Sequence, residues 1–192
     1  MIRFSLRFLA WFVGFFSIWF LSASWWGLAV AWLCDVSLSW FFPWVVEVIQ
    51  QGQFLTLMTS IQVPYANGVS FVPTPRANYL AHGFGLPFYF ALIMAAQAKK
   101  PLFKMLAGSL ILLPFISFNV AMSWFRQLFT KNSFGSYANF DLQEWQIDLF
   151  VMGFKFGLLI LPTLIPVLIW LYFERRFVMS HFMSGWIEGA VK

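Results

Sequence analysis

Apolar runs broken by small clusters of basic residues constrain this chain more than any other feature. Several runs of about 18 or more residues hold at most one charge, and that length crosses roughly 30 Å of hydrocarbon as a helix. Twelve Lys and Arg and seven Asp and Glu serve 192 residues that are 61% hydrophobic, more apolar surface than one small soluble core can hide. The expected fold class is therefore an all-α integral membrane protein forming a single membrane domain over 1–192. About four transmembrane helices are expected, near 4–33, 80–98, 102–129 and 145–173.

The basic residues punctuate these runs. Arg3 and Arg7 open the first, Lys99, Lys100 and Lys104 separate two others, and Arg175 and Arg176 close the last. This positive-inside pattern predicts both termini in the cytoplasm, N-in and C-in. A nucleic-acid partner would require the cations gathered on one polar face, so the lipid bilayer is the expected partner and nucleic acid is not. Cys34 is the lone cysteine, and His82 and His181 are the two histidines. No metal site is expected from so few ligands, and no intrachain disulfide can form.

Along the chain, 4–21 reads as a first span or as the hydrophobic part of a signal peptide, with the span favoured because another apolar segment follows at once. The segment 25–42 contains Asp35, Ser37 and Ser39 and reads as the end of a long first helix or as an interfacial extension. Trp25, Trp26, Trp32 and Trp40 suit the interface, and Pro43 ends the helix. The loop 45–78 is polar and alternating, and Pro64-Tyr65-Ala66-Asn67-Gly68 supplies turn chemistry for a small outward β-hairpin.

Pro114 is expected to kink the third span, and Pro162 and Pro166 the fourth. The Asp141-Leu142-Gln143-Glu144 sequence has capping-box spacing for the last helix. Gly153 and Gly157 form a small-xxx-small face for close helix contact.

Charges inside spans are costly, so Arg126 and Lys155 draw attention. Asn119, Ser123 and Arg126 are spaced to share one helix face, which should look into the bundle. Arg126 either snorkels to the outer interface or serves a site. Lys155 shares a face with Asp148, seven residues earlier, and the two either pair structurally or contribute to function. His82 and Gly83 stand at the mouth of the second span, where a lone histidine is either a hydrogen-bonded interface residue or a base. His82, Gly83, Asn119, Arg126, Asp148 and Lys155 together form the candidate cleft. No nucleophile elbow, phosphate-binding loop or His-Glu-x-x-His motif is present, so neither a standard catalytic set nor a cofactor is implied.

The order of parts resembles the exosortase/archaeosortase superfamily of membrane transpeptidases. Gln51-Gly52-Gln53-Phe54-Leu55 and Gly68-Val69-Ser70-Phe71-Val72 look like its hairpin, Gly83-Phe84-Gly85-Leu86 falls at its nucleophile motif, and Arg126 fits its arginine. Gly83 stands where the family carries cysteine, and no histidine lies near Asp148-Leu149. The resemblance therefore implies a catalytically degenerate relative. More closely, segments 3–12 and 79–91 and the stretch Gly153-Phe154-Lys155-Phe156-Gly157-Leu158-Leu159-Ile160-Leu161-Pro162-Thr163-Leu164-Ile165-Pro166 resemble the exosortase H-associated membrane protein family.

That resemblance implies a protein of the bacterial inner membrane. Its expected role is non-enzymatic, partnering an exosortase-type enzyme or handling its C-terminally anchored substrates. Two alternatives stand beside it. One is an intramembrane enzyme using His82, Arg126 and Lys155 on a peptide or lipid-linked substrate, and the other is a small transporter or channel subunit.

Overall fold

The computed structural model describes residues 2–64, 70–130 and 142–179. In chain order the helices are α1 (Ile2–Leu21), α2 (Ala23–Phe41), α3 (Tyr79–Gly83), α4 (Gly85–Ala95), α5 (Pro101–Phe129), α6 (Glu144–Leu159), α7 (Leu161–Phe173) and α8 (Arg175–Val178). Between α2 and α3 lie β1 (Val45–Gln51), β2 (Phe54–Thr59), β3 (Val63–Pro64), β4 (Ser70–Phe71) and β5 (Arg76–Asn78). The described residues pack as two compact units, one of 2–21, 84–112 and 162–179, the other of 22–64, 70–83, 113–130 and 142–161.

Two helices, α1 and α5, are long and apolar enough to cross a membrane. The pair α6 and α7 makes a third if counted as one span bent by 54°. The bend falls where the sequence puts Pro162, which lacks an N–H and crowds the carbonyl four residues earlier. Pro114, by contrast, lies inside a helix that continues unbroken from Pro101 to Phe129. The second apolar run forms a shorter helical stretch, Tyr79–Ala95. The long first helix is interrupted at Ser22, whose φ of −91° and ψ of 10° depart from helical values, so α1 and α2 are separate helices.

In the first unit, α1 packs along α4 through aromatic edges. Phe8 meets Phe88 at 5.4 Å and Phe15 meets Phe90 at 5.6 Å between centroids, in the edge-on arrangements the ring quadrupole favours. A Cβ on Gly85 would stand 2.8 Å from the Pro162 carbonyl oxygen, so glycine is what lets α4 and α7 touch. Lys104 of α5 forms an ion pair with the buried Glu174, which sits between α7 and α8, and the Tyr89 hydroxyl donates to the Lys104 carbonyl at 2.7 Å.

The second unit is built on a sheet of order β1-β2-β5, antiparallel throughout. β1 and β2 form a hairpin whose turn holds Gly52 at φ +60°, a conformation glycine adopts without cost. The expected hairpin around 64–68 is present only as flanking strands: Val63 pairs with Phe71 and Pro64 with Ser70, while 65–69 lie outside the described residues. The larger hairpin, β1 with β2, is one the alternation around Pro64 did not reveal.

Side-chain to backbone hydrogen bonds fasten this sheet to the helices. The Trp124 indole donates to the Leu55 carbonyl at 3.1 Å. Gln127 pairs with Arg76 as a strand would, accepting from its N–H at 3.1 Å and donating to its carbonyl at 2.7 Å. Asp35 of α2 accepts from the Val48 N–H of β1 at 3.0 Å. α2 buries Ala23, Gly27, Val30, Ala31, Cys34 and Leu38 along one face and leaves Trp25, Trp32 and Trp40 exposed.

The capping box expected at Asp141-Glu144 sits two residues further on. Gln143 is the N-cap, and its N–H donates to Gln146 Oε1 at 2.9 Å, while Asp141 lies outside the described residues. Glutamine at both positions reaches as far as the residues of the usual box, so composition did not mark the register.

Removing one partner of a buried ion pair leaves the other uncompensated. Lys104→Met should lower stability by about 3 kcal/mol, and adding Glu174→Leu should recover most of the loss. Thermal unfolding of the detergent-solubilised protein, single against double variant, checks this.

Candidate functional site

Several of the polar candidates of the second unit lie where α5 meets α6. Asn119 and Arg126 are seven residues apart on α5, two turns, and so share a face with Ser123 between them. Opposite, α6 presents Gly153 and Gly157 one turn apart. A Cβ on Gly153 would stand 3.1 Å from Met122 Sδ, and one on Gly157 would collide with Asn119 Oδ1. As the α6 number rises the α5 number falls, so the helices run antiparallel. The small-xxx-small face thus does what its spacing predicts: it brings the α6 backbone against Asn119.

Phe154, between those glycines, meets both charged-type candidates. The Arg126 guanidinium lies over its ring, 4.4 Å from the centroid. His82, from the one-turn helix α3 that follows β5, meets the same ring edge-on at 6.4 Å. Stacking a guanidinium on an aromatic face contributes about 0.5–2 kcal/mol, offsetting part of the cost of an intramembrane cation. Phe154 escaped the sequence reading, although its place four residues after Phe150 and three before Gly157 puts it on the packed side of α6.

Burial here exceeds hydrogen bonding. His82 is 4% exposed and Asn119 2%. His82 Nδ1, Asn119 Oδ1 and Arg126 Nε are shielded yet have no hydrogen-bond partner among the described residues, a state they share with atoms elsewhere in this unit such as Thr56 Oγ1 and the Tyr79 hydroxyl. Each orphaned polar atom costs about 1–3 kcal/mol, which a bound group of matching polarity would recover. The arrangement offers a donor from Arg126, an acceptor from Asn119, and either from His82 according to its tautomer. Asn119 and Arg126 stand about 10 Å apart along the α5 axis, so a ligand meeting both would be an extended one, such as a peptide segment, while a carboxylate would reach the guanidinium alone.

The other candidates lie elsewhere. Gly83 is buried at the end of α3, beside His82 in sequence. Asp148 and Lys155 are both exposed on α6, with no ion pair or hydrogen bond between them. Seven residues of helix put them about 10 Å apart along the axis, too far for a direct pair.

Cys34 is buried on α2, and its Sγ donates to the Ser117 carbonyl at 3.6 Å. It lines an apolar pocket of about 280 Å³ with Ser117, Phe118, Ala121, Met122 and Phe125, among others. Neither His82, Asn119 nor Arg126 lines that pocket.

Two apolar helices of spanning length among the described residues, an anchored sheet and polar side chains buried on an antiparallel helix contact describe a helical membrane protein. The chain belongs to the exosortase H-associated membrane protein family, whose profile matches residues 1–177. No curated protein and no solved structure matches it.

The two glycines make distinguishable demands. Gly157→Ala should cost about 1–3 kcal/mol because Asn119 must be displaced, whereas Gly153→Ala should cost less because Met122 can turn its flexible sulfur aside. Melting temperatures of the two purified variants, compared with the parent chain, provide the measurement.

Proposed function

We propose that the protein is a non-enzymatic accessory component of membrane protein sorting. It docks on an exosortase-type transpeptidase, or handles that enzyme's C-terminally anchored substrates, through the cluster of His82, Asn119 and Arg126. The family's description, exosortase H-associated, supplies the class of partner. The observation that carries the reading is the separation of reactive groups. The guanidinium and imidazole share Phe154, while the chain's one thiol is held to the Ser117 carbonyl in a different, apolar pocket. Acyl transfer at sulfur needs nucleophile and base within reach of each other. With that arrangement missing, the donors and acceptors of the cluster serve recognition.

We further propose four spans forming one membrane domain in a bacterial inner membrane, both termini inside. α2 then lies at the outer interface with Trp25, Trp32 and Trp40 at headgroup level, and the β1-β2-β5 sheet faces outward. An enzyme built on His82, Arg126 and Lys155 is less well supported, because Lys155 points outward from α6.

The test is co-purification. Tagged protein expressed with an exosortase from the same membrane should retain that enzyme. Arg126→Ala should reduce retention at least tenfold, consistent with loss of a charged hydrogen bond, and Cys34→Ala should leave it unchanged. Full retention by Arg126→Ala would remove the cluster from the interaction, and failure of the parent chain to retain any exosortase would remove the partner.

A further inference from the structure

The first unit contains a cleft of about 750 Å³ that the sorting role does not use. Its polar lining is Arg3 and Arg7 of α1 and Gln97 just past α4, and its apolar walls include Phe4, Ala96 and Phe177. We propose that this cleft binds the phosphate headgroup of an anionic phospholipid.

Charge is the first argument. Arg3 and Arg7 are one turn apart and so lie on the same side of α1, an arrangement in which like charges repel unless an anion lies between them. Both are exposed, and neither has an ion-pair or hydrogen-bond partner among the described residues. Glu174 is the one acidic side chain among the described residues of this unit, and it is already bonded to Lys104. Lys99 and Lys100 follow Gln97 closely in sequence, and Arg175 and Arg176 immediately precede Phe177. The cleft is therefore set among cations that no described acid neutralises.

Backbone geometry adds a second argument. After α4, the N–H of Gln97 donates to Met94 and that of Ala98 to Ile93, the bonding pattern of a helix stop whose left-handed residue is usually glycine. Gln97 holds that conformation at φ 54° and contributes to the lining. Glycine would relieve the strain but remove the amide, and strained residues of this kind collect where a ligand is held.

The apolar walls decide between anions. A free phosphate or an acidic peptide has no use for Phe4, Ala96 and Phe177 beside two guanidiniums. A phospholipid has, because its phosphate meets the Arg pair bidentately while the glycerol and first methylenes rest on the rings. The cleft sits at the end of α1, a helix of membrane-spanning length, and basic pockets between spanning helices are a recurrent headgroup site.

Native mass spectrometry of the delipidated full chain, titrated with phosphatidylglycerol and separately with phosphatidylcholine, tests this. The parent chain should prefer phosphatidylglycerol by roughly tenfold or more, as two arginines near a membrane surface would give. The double variant Arg3→Gln/Arg7→Gln should lose the preference. The charge-matched double variant Arg175→Gln/Arg176→Gln, both outside the lining, should keep it. Equal binding of the two lipids, or retention of the preference by Arg3→Gln/Arg7→Gln, would overturn the proposal. So would equal losses in both double variants, which would mean diffuse surface charge, or displacement of phosphatidylglycerol by millimolar inorganic phosphate.

Discussion

The contact between the Gly153/Gly157 face of α6 and α5 is the arrangement on which the candidate site depends. Lipid tails are as apolar as the side chains they meet, so helices in a membrane gain little from hydrophobic burial against each other and rely on close packing instead. Removing the Cβ at 157 lets the α6 backbone close on Asn119. That approach also fixes the rotation of α6, which brings Phe154 over Arg126 and against His82. With a bulkier residue at 157 the helix would stand off, and the ring that unites the cluster would withdraw with it.

Polar groups in such a chain divide by how they are satisfied. Those that fasten the sheet are paired in full view of the backbone: Trp124 with Leu55, Gln127 with both polar atoms of Arg76, and Asp35 with Val48. Lys104 and Glu174 neutralise each other within the other unit. His82, Asn119 and Arg126 each keep a shielded atom without a hydrogen-bond partner among the described residues, as do Thr56 and Tyr79, and what sets the first three apart is their place on the α5–α6 contact, where Phe154 meets both Arg126 and His82. Donors and acceptors left uncommitted in this way are what the proposed recognition role would use. The thiol, committed to Ser117 in an apolar pocket, is not among them.

The two faces of interest have one feature in common and need not act together. A recognition cluster in one unit and a basic cleft in the other both arise where charge is left unpaired by the described residues. One offers mixed donors and acceptors in a buried setting, and the other offers two exposed guanidiniums beside aromatic rings. The ligands proposed for them differ accordingly, a peptide-like group for the first and a lipid phosphate for the second.

The sequence by itself determined the membrane class, the long helix α5, the break near Pro162, and the sharing of one face by Asn119, Ser123 and Arg126. It also marked the glycine face of α6. These follow from composition, period and backbone chemistry, which are properties of single segments. It did not reveal that Asp148 and Lys155 are exposed and not paired with each other, that the main hairpin turns at Gly52, or that α6 is capped from Gln143. Nor did it show that His82 and Arg126 meet on Phe154. Those depend on how one element is rotated and placed against another, a choice made by packing between segments distant in the chain, and only the tertiary structure records it.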